Sequence, residues 1–484
     1  MSKVLGVDLG TSGCKLAVVS SLGLVEATAS CDLHPRSDPH GKVEIDPKEW
    51  YAALISALGH LRSKGVELGS VVAVGVTGQM QGTTLVDRDC NPVRNSILWN
   101  DTRSEAEATW FNEKYPGIDA VTGCQLSTGV TVSQVLWVMK HEPRSWERTF
   151  KVLHAPNYLI AKLTGELIAD HNNLGLSGLN DFVANDWSAE LLQVAGIERD
   201  KVPEVRQCFD VVGHISSQAA SETGLAAGVP VVAAGGDSAA ESFSLALAGS
   251  NRMKIRLGSA GDLNIVVPFA SLDSGRLRGI RDVLPGYVVI GAHTRGCAAS
   301  VKWARGVFFS ELPAEDASYE AMDREAASVG AGSDGLLYFP YLSGEAAPYY
   351  TSTISAKFLG VRAGMRRGHF MRAVYEGVAY SLRDVIRSVK AFETAREYAV
   401  VGGGARSRLW TSVLADVLGH DVVVPESCDA AFGAALIAGE GTKEFDGVEL
   451  ARSSVARNVR IVPDPQRHVT YDLGFEAYAE FAGR

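Results

Sequence analysis

The chain has no stretch of about 18 uncharged apolar residues, and its first apolar run is broken at Asp8, so neither a membrane span nor an export leader is expected. It also lacks a basic tract. Lys and Arg number 46 against 56 for Asp and Glu, a net charge of −10, which argues against nucleic acid or an anionic membrane as the main partner. Its seven cysteines (14, 31, 90, 124, 208, 297 and 428) are odd in number and never form a C-x-x-C pair. That pattern implies reduced thiols in a cytoplasm rather than a disulfide frame or a zinc site. The eleven histidines show no H-E-x-x-H spacing. No G-x-x-x-x-G-K-[ST] loop is present, and Gly402-Gly403-Gly404 lacks the spacing of a G-x-G-x-x-G fingerprint, which removes the two commonest nucleotide motifs. What remains is a chain of 484 residues, 46% hydrophobic, long enough for two or three domains with sizeable cores.

The informative features are small residues at the ends of strands. "VLGVDLGTSGCKLAVV" is an apolar strand ending in Asp8, a loop of Gly10, Thr11, Ser12 and Gly13, and a second strand. Such a loop is either an ordinary β-hairpin or an anion cradle in which N–H groups and hydroxyls face a phosphate beside Asp8. "EWYAALISALGHLRSKG" has helical periodicity, and "VVAVGVTGQMQG" reads as a buried strand ending at Thr77 and Gly78. Residues 104–228 read mainly as helices and loops, followed by "VPVVAAGGDSAAESFSLALAG", a strand, two glycines, an aspartate and a helix.

The same order then recurs. "MKIRLGSAGDLNIVV" gives strand, Gly258-Ser259-Ala260-Gly261 loop and strand; "FMRAVYEGVAYSLRDVIRSV" a helix; "EYAVVGGGARS" a strand ending in three glycines; and "HDVVVPESCDAAFGAALIAG" a strand, Asp429 and a helix. This predicts two related α/β units facing each other across a cleft, where ligand pockets preferentially lie. Asp237 stands where a strand gives way to a helix. It serves there either as an N-cap or, since ligands sit at the carboxyl ends of strands in open α/β sheets, as a base that accepts a hydroxyl proton.

Taken together, "GVDLGTSGCK", "GVTGQMQGTTLVD", "ILWNDTR", "AGGDSAAES", "LGSAGD", "YFPYLSGEAAP" and "VVGGGARSRLW" resemble the FGGY carbohydrate kinases, and most of all their xylulokinase branch. The resemblance runs in order from Val4 to about Gly439. It implies an α/β fold of two actin-like, ribonuclease-H-like domains with ATP and sugar in the cleft between them. The sugar-binding domain is expected over residues 1–247 and the nucleotide-binding domain over 248–484, with the last residues free to pack back on the first. The activity implied is ATP-dependent transfer of a phosphoryl group to a sugar hydroxyl, D-xylulose to D-xylulose 5-phosphate in the first instance. A kinase for another ketose, polyol or sugar acid (ribulose, gluconate or glycerol type) is the alternative.

By the same resemblance Asp237 is the general base, and Asp8 acts on magnesium through water or on the phosphates. Gly10, Thr11, Ser12 and Lys15, with Gly258 and Ser259, are the phosphate hairpins, and Gly403, Gly404 and Ala405 line the adenine. Met80, Gln81, Asn100 and Asp101 join Asp237 as sugar contacts. The residues by themselves also allow Met80 as core packing, Trp99-Asn100-Asp101 as an Asx turn, and Arg103 as a partner of Asp101 or a surface acid.

Three positions depart from the pattern: Gln81 replaces the usual histidine, Ala346 a frequent arginine, and Asn157 a common acidic residue. These departures bear on the sugar more than on the chemistry. A reading from another class, an actin-like nucleotide switch, shares the hairpins but has no need of Asp237 or of the polar set Gln81, Asn100 and Asp101. ATP, Mg²⁺ and a small sugar are the expected ligands, and a homodimer is left open.

Overall fold

The computed structural model describes residues 2–272, 279–312, 316–426, 428–455 and 457–482. The chain forms two compact units, the first comprising Met1–Ala248, Val267–Val289 and Ser427–Ala456, and the second Gly249–Val266, Ile290–Glu426 and Arg457–Arg484.

The core of the first unit is a six-stranded sheet built from β1 (Lys3–Leu9), β2 (Gly13–Ser20), β3 (Val25–Asp32), β4 (Val71–Gly78), β5 (Val211–His214) and β6 (Pro230–Gly236). Their spatial order is β5-β6-β4-β1-β2-β3. β1 pairs in parallel with β4, and β4 with β6, whereas β1–β2, β2–β3 and β5–β6 are antiparallel. Strands buried on both faces read as near-continuous apolar runs, as β1, β4 and β6 do.

The period of two sorts their side chains. Leu5, Val7 and Leu9 join a core with Trp50, Leu54 and Leu58 of the helix Pro47–Ser63 and with Tyr158 and Leu159 of the helix Ala155–Thr164. Val4, Ala73 and Val232 face the other way, into a core with Ala240, Ala431, Ala434 and Ala435. A third cluster, with Phe111, Val132, Val135 and Leu191, holds together the helical insertion read from the sequence between residues 104 and 228.

The helix Ala430–Gly441 reads in the sequence as part of the second α/β copy, yet it covers the first sheet. Glycines decide this placement. A Cβ on Gly6 would lie 1.8 Å from the Ala431 carbonyl oxygen, one on Gly75 2.1 Å from that of Ala434, and one on Gly433 1.9 Å from that of Ala240. Only bare backbone permits so close an approach of helix to sheet.

The second unit repeats the plan with β7 (Arg252–Leu257), β8 (Gly261–Pro268), β9 (Tyr287–Thr294), β10 (Glu397–Val401), β11 (Asp421–Val424) and β12 (Val459–Ile461), in the order β9-β8-β7-β10-β11-β12. β7 runs parallel to β10 and β10 to β11, while β7–β8 and β11–β12 are antiparallel. The order of these six strands and the sense of the four pairings named match the first sheet, so the duplication seen in the sequence is a duplication of topology. The helix Arg367–Ser388 runs through this unit, buried along most of its length.

The last helix, Pro465–Ala482, also belongs to the second unit. Its Tyr471 hydroxyl donates to buried Glu376 at 2.9 Å, and its Tyr478 hydroxyl meets that of Tyr341 at 2.7 Å. Among the described residues, no two cysteines are joined in a disulfide. Among the described residues, no helix is long and apolar enough to cross a membrane.

Candidate active site

Alternation along the first sheet carries several polar residues to one place. On β1, Val4 and Gly6 face the helix Ala430–Gly441, so Asp8 falls on the same side at the strand's carboxyl end. In register beside it stand Lys15 at the start of β2 and Thr77 at the end of β4. Asp8 is 8% exposed, and its Oδ1 is buried without a hydrogen-bond partner. Burial is the first cause that lifts its pKa to about 7; the charges of Asp237, Asp429 and Glu241 add to it, and Lys15 opposes them. Lys15 and Asp429 also line a cavity of about 430 Å³ together with His60 and Lys64.

Asp237 is the first residue of the helix Asp237–Ser244, and Gly236 occupies the N-cap position. Its Oδ1 accepts the N–H of Ser238 at 2.7 Å. Two buried side chains from elsewhere fix the strand end before it. Thr77 Oγ1 donates to the Gly235 carbonyl at 2.8 Å, and Asn172 Oδ1 accepts from Gly236 N at 2.9 Å while its Nδ2 donates to Arg281 O. Gly235 has φ +72°, a conformation that suits glycine, and the register of β6 against β4 shifts there. Asn172 escaped the sequence reading, because its partner lies 64 residues away and no local pattern marks it.

Met80 lies directly against Gly236, where a Cβ would come within 2.3 Å of its Cγ. Gln81 takes φ +63°, and its Oε1 and the Trp99 carbonyl both lie within 3.0 Å of where a Gly129 Cβ would stand. Asn100 is exposed and Asp101 fully buried. Both Asp101 oxygens are committed: they accept from Val43 N at 2.6 Å, from Arg103 N at 2.9 Å, and from the Arg103 guanidinium, which also reaches Glu44. This is the Asx turn and the Asp101–Arg103 pairing that the sequence allowed, and it leaves Asn100 as the outward-facing member of the pair.

The first hairpin closes with Gly10 N donating to Gly13 O at 2.9 Å. Thr11 Oγ1 donates to Gln79 Oε1 at 3.2 Å and accepts from Trp99 Nε1 at 2.9 Å, whereas Ser12 is exposed. In the second unit the corresponding turn at Gly258 and Ser259 offers its carbonyls to the N–H groups of Ala298 and Ala299, which open the helix Ala298–Phe308. Gly402, Gly403, Gly404 and Ala405 follow β10 beside that turn. A Cβ on Gly404 would lie 2.7 Å from that of Leu257 and 2.5 Å from the Trp410 ring, while Gly403 has nothing within 4 Å. The structure thus gathers Asp8, the first hairpin, Lys15, Met80, Gln81, Asn100 and Asp237 in the first unit, and Gly258, Ser259, Gly403, Gly404 and Ala405 in the second.

One of the three departures has a local explanation. Asn157 is buried and donates to Asp170 Oδ2 at 3.0 Å, a contact that a second carboxylate could make only by taking up a proton. Ala346 is buried, and nothing in the structure explains why alanine stands there.

Residues 3–244 match the N-terminal domain of the FGGY family of carbohydrate kinases, and residues 271–440 match its C-terminal domain. The chain belongs to this family. It is accordingly an ATP-dependent carbohydrate kinase. Across 98% of its length it is 32% identical to the xylulose kinase of Escherichia coli K12, covering 97% of that protein, and across 99% it is 28% identical to the xylulose kinase of Bacillus subtilis, covering 96%. The crystal structure of a xyloylose kinase from Brucella ovis superposes with a TM-score of 0.90 at 29% identity, covering 99% of this chain and 98% of that one.

Proposed function

We propose that this FGGY kinase transfers the γ-phosphoryl group of ATP to D-xylulose, giving D-xylulose 5-phosphate. The observation that carries the reading is Asp237, held at a strand's carboxyl end by Thr77 and Asn172 and within electrostatic reach of buried Asp8. The relatives named as xylulose kinases, similar along nearly the whole chain, support the choice of sugar.

Asp237 accepts the proton of the attacking hydroxyl, a role typically worth about 10²- to 10⁴-fold. Met80, Gln81 and Asn100 contact the sugar, and Asp101 fixes the turn that presents Asn100. Gln81 supplies a neutral donor and acceptor where a histidine would titrate. The hairpin at Gly10–Ser12, with Lys15, and the turn at Gly258–Ser259 receive the phosphates, while Gly403, Gly404 and Ala405 leave room for the flat base. We assign sugar binding to the N-terminal part of the chain and nucleotide binding to the C-terminal part.

The residues around Asp8 fit Mg²⁺. An unpartnered buried carboxylate oxygen, with hard oxygen donors around it, suits an ion that keeps most of its waters and is bound through one or two carboxylates and the substrate's phosphates. Bound there, Mg²⁺ would neutralise charge on the transferring phosphates. We place the enzyme in the cytoplasm, where ATP is available and free thiols stay reduced.

The test is coupled ADP release with Mg·ATP across ketopentoses, polyols and sugar acids, beside a blank without sugar. D-xylulose should give the largest stimulation. A larger response to another sugar reassigns the pocket, and hydrolysis that no sugar increases rejects the kinase reading.

A further inference from the structure

The side chain of Trp99 is 47% exposed, yet its indole N–H is spent on Thr11 Oγ1 at 2.9 Å. Thr11 in turn donates its only hydroxyl proton to Gln79 Oε1 at 3.2 Å. With that proton engaged, the Thr11 hydroxyl cannot also donate to a phosphate, so within the hairpin it works as a joint. The three residues belong to three segments of the first unit: the turn carrying Asn100, the hairpin Gly10–Gly13, and the segment leading into Met80 and Gln81.

Each segment is anchored behind the relay. Gly129 seats against the Trp99 carbonyl, where a Cβ would come within 2.1 Å. Asp101 and Arg103 lock the turn, and Gln79 N donates to Leu9 O at 2.8 Å. A shift of the indole therefore passes to the Thr11 hydroxyl rather than being absorbed by the backbone on either side.

We infer that Trp99 is a positioning residue that couples occupancy of the sugar site to the setting of the phosphate hairpin, through the relay Trp99 to Thr11 to Gln79. This rests on the proposed function. A sugar lying over the open indole face holds the ring, the ring holds Thr11, and the hairpin is then set for transfer. Without sugar the exposed face of the ring is uncovered, and the hairpin samples settings unfit for attack by water.

The test uses the full chain and compares ADP release with and without D-xylulose. Trp99→Phe keeps a flat ring and removes only the N–H donor. It should lower kcat with sugar about fivefold, the share of one net hydrogen bond, move the sugar KM less than about twofold, and lower the ratio of sugar-dependent to sugar-independent ADP release. Thr11→Val should do the same. The double variant should be no worse than either single one, since both cut a single relay. Unchanged kcat in Trp99→Phe, or single effects that simply add, would overturn the inference. A purely structural role would lower both rates together and leave their ratio unmoved, which overturns it as well. The parent enzyme is measured first: if no sugar stimulates it, the proposed function fails and the coupling with it.

Discussion

Asp8 shows how burial is turned to use at a single residue. An aspartate with its pKa at about 7 is costly to ionise in the free protein, since its unfolded counterpart ionises near 3.8. The sign follows from proton uptake. Below about pH 4 both states are protonated and the residue costs nothing. As pH rises toward 7 the unfolded chain loses the proton first, so stability falls until the folded carboxyl has also ionised. Asp8→Asn should therefore melt at higher temperature than the parent at pH 8, by a margin that shrinks toward pH 4.5, while losing phosphoryl transfer. Equal melting temperatures at pH 8 would show that Asp8 is not strained by its neighbours. Asp237 gives a second prediction. Asparagine retains the oxygen that accepts the Ser238 N–H, so Asp237→Asn should fold and bind ATP within a few-fold of the parent. Its kcat should fall by at least about 10²-fold, the usual share of a general base. Calorimetric titration of ATP and initial rates on the same sample check both halves.

Between elements, the seat of the helix Ala430–Gly441 depends on the absence of side chains at Gly6, Gly75 and Gly433. Gly75→Ala would drive a methyl to 2.1 Å from the Ala434 carbonyl oxygen and should destabilise by about 1–3 kcal/mol, the usual effect of overpacking. Gly59→Ala is the control. That glycine lies inside the helix Pro47–Ser63 with nothing within 4 Å of its Cβ position, so alanine there should stabilise by about 0.5–1 kcal/mol. Urea unfolding of the two variants against the parent should show the opposite signs. The same glycines explain what the sequence could and could not disclose. Hairpins, strand ends and the recurrence of strand, small loop and aspartate are local patterns, so Asp8, Asp237, the first hairpin and the triple glycine could be picked out directly. The address of the helix Ala430–Gly441 could not, because it is set by glycines more than 350 positions earlier in the chain. Asn172 and the contact of Trp99 with Thr11 were hidden for the same reason. Asp101 was visible as a polar residue, but its inward turn depends on a guanidinium two residues on that reaches back to it.

At the scale of the whole molecule, the path of the chain matters more than the division into two sheets. The first unit is assembled from three separate pieces, the last of them Ser427–Ala456, so the chain completes its first core only after tracing most of its second. In a fragment of residues 1–248, β1 and β4 would keep the face formed by Val4, Gly6, Ala73 and Gly75 but lose the helix of Ala431, Ala434 and Ala435 that covers it. An uncovered apolar sheet face of that kind favours aggregation or a loosely packed state. The fragment should accordingly bind a hydrophobic dye and lack a sharp melting transition, although its boundary looks like a domain end in the sequence. A peptide of residues 427–456 added in excess should restore part of the cooperative transition, because it returns the helix to an existing seat. A fragment that melts sharply without the peptide would show that the helix Ala430–Gly441 is an ornament of the first unit rather than part of its core.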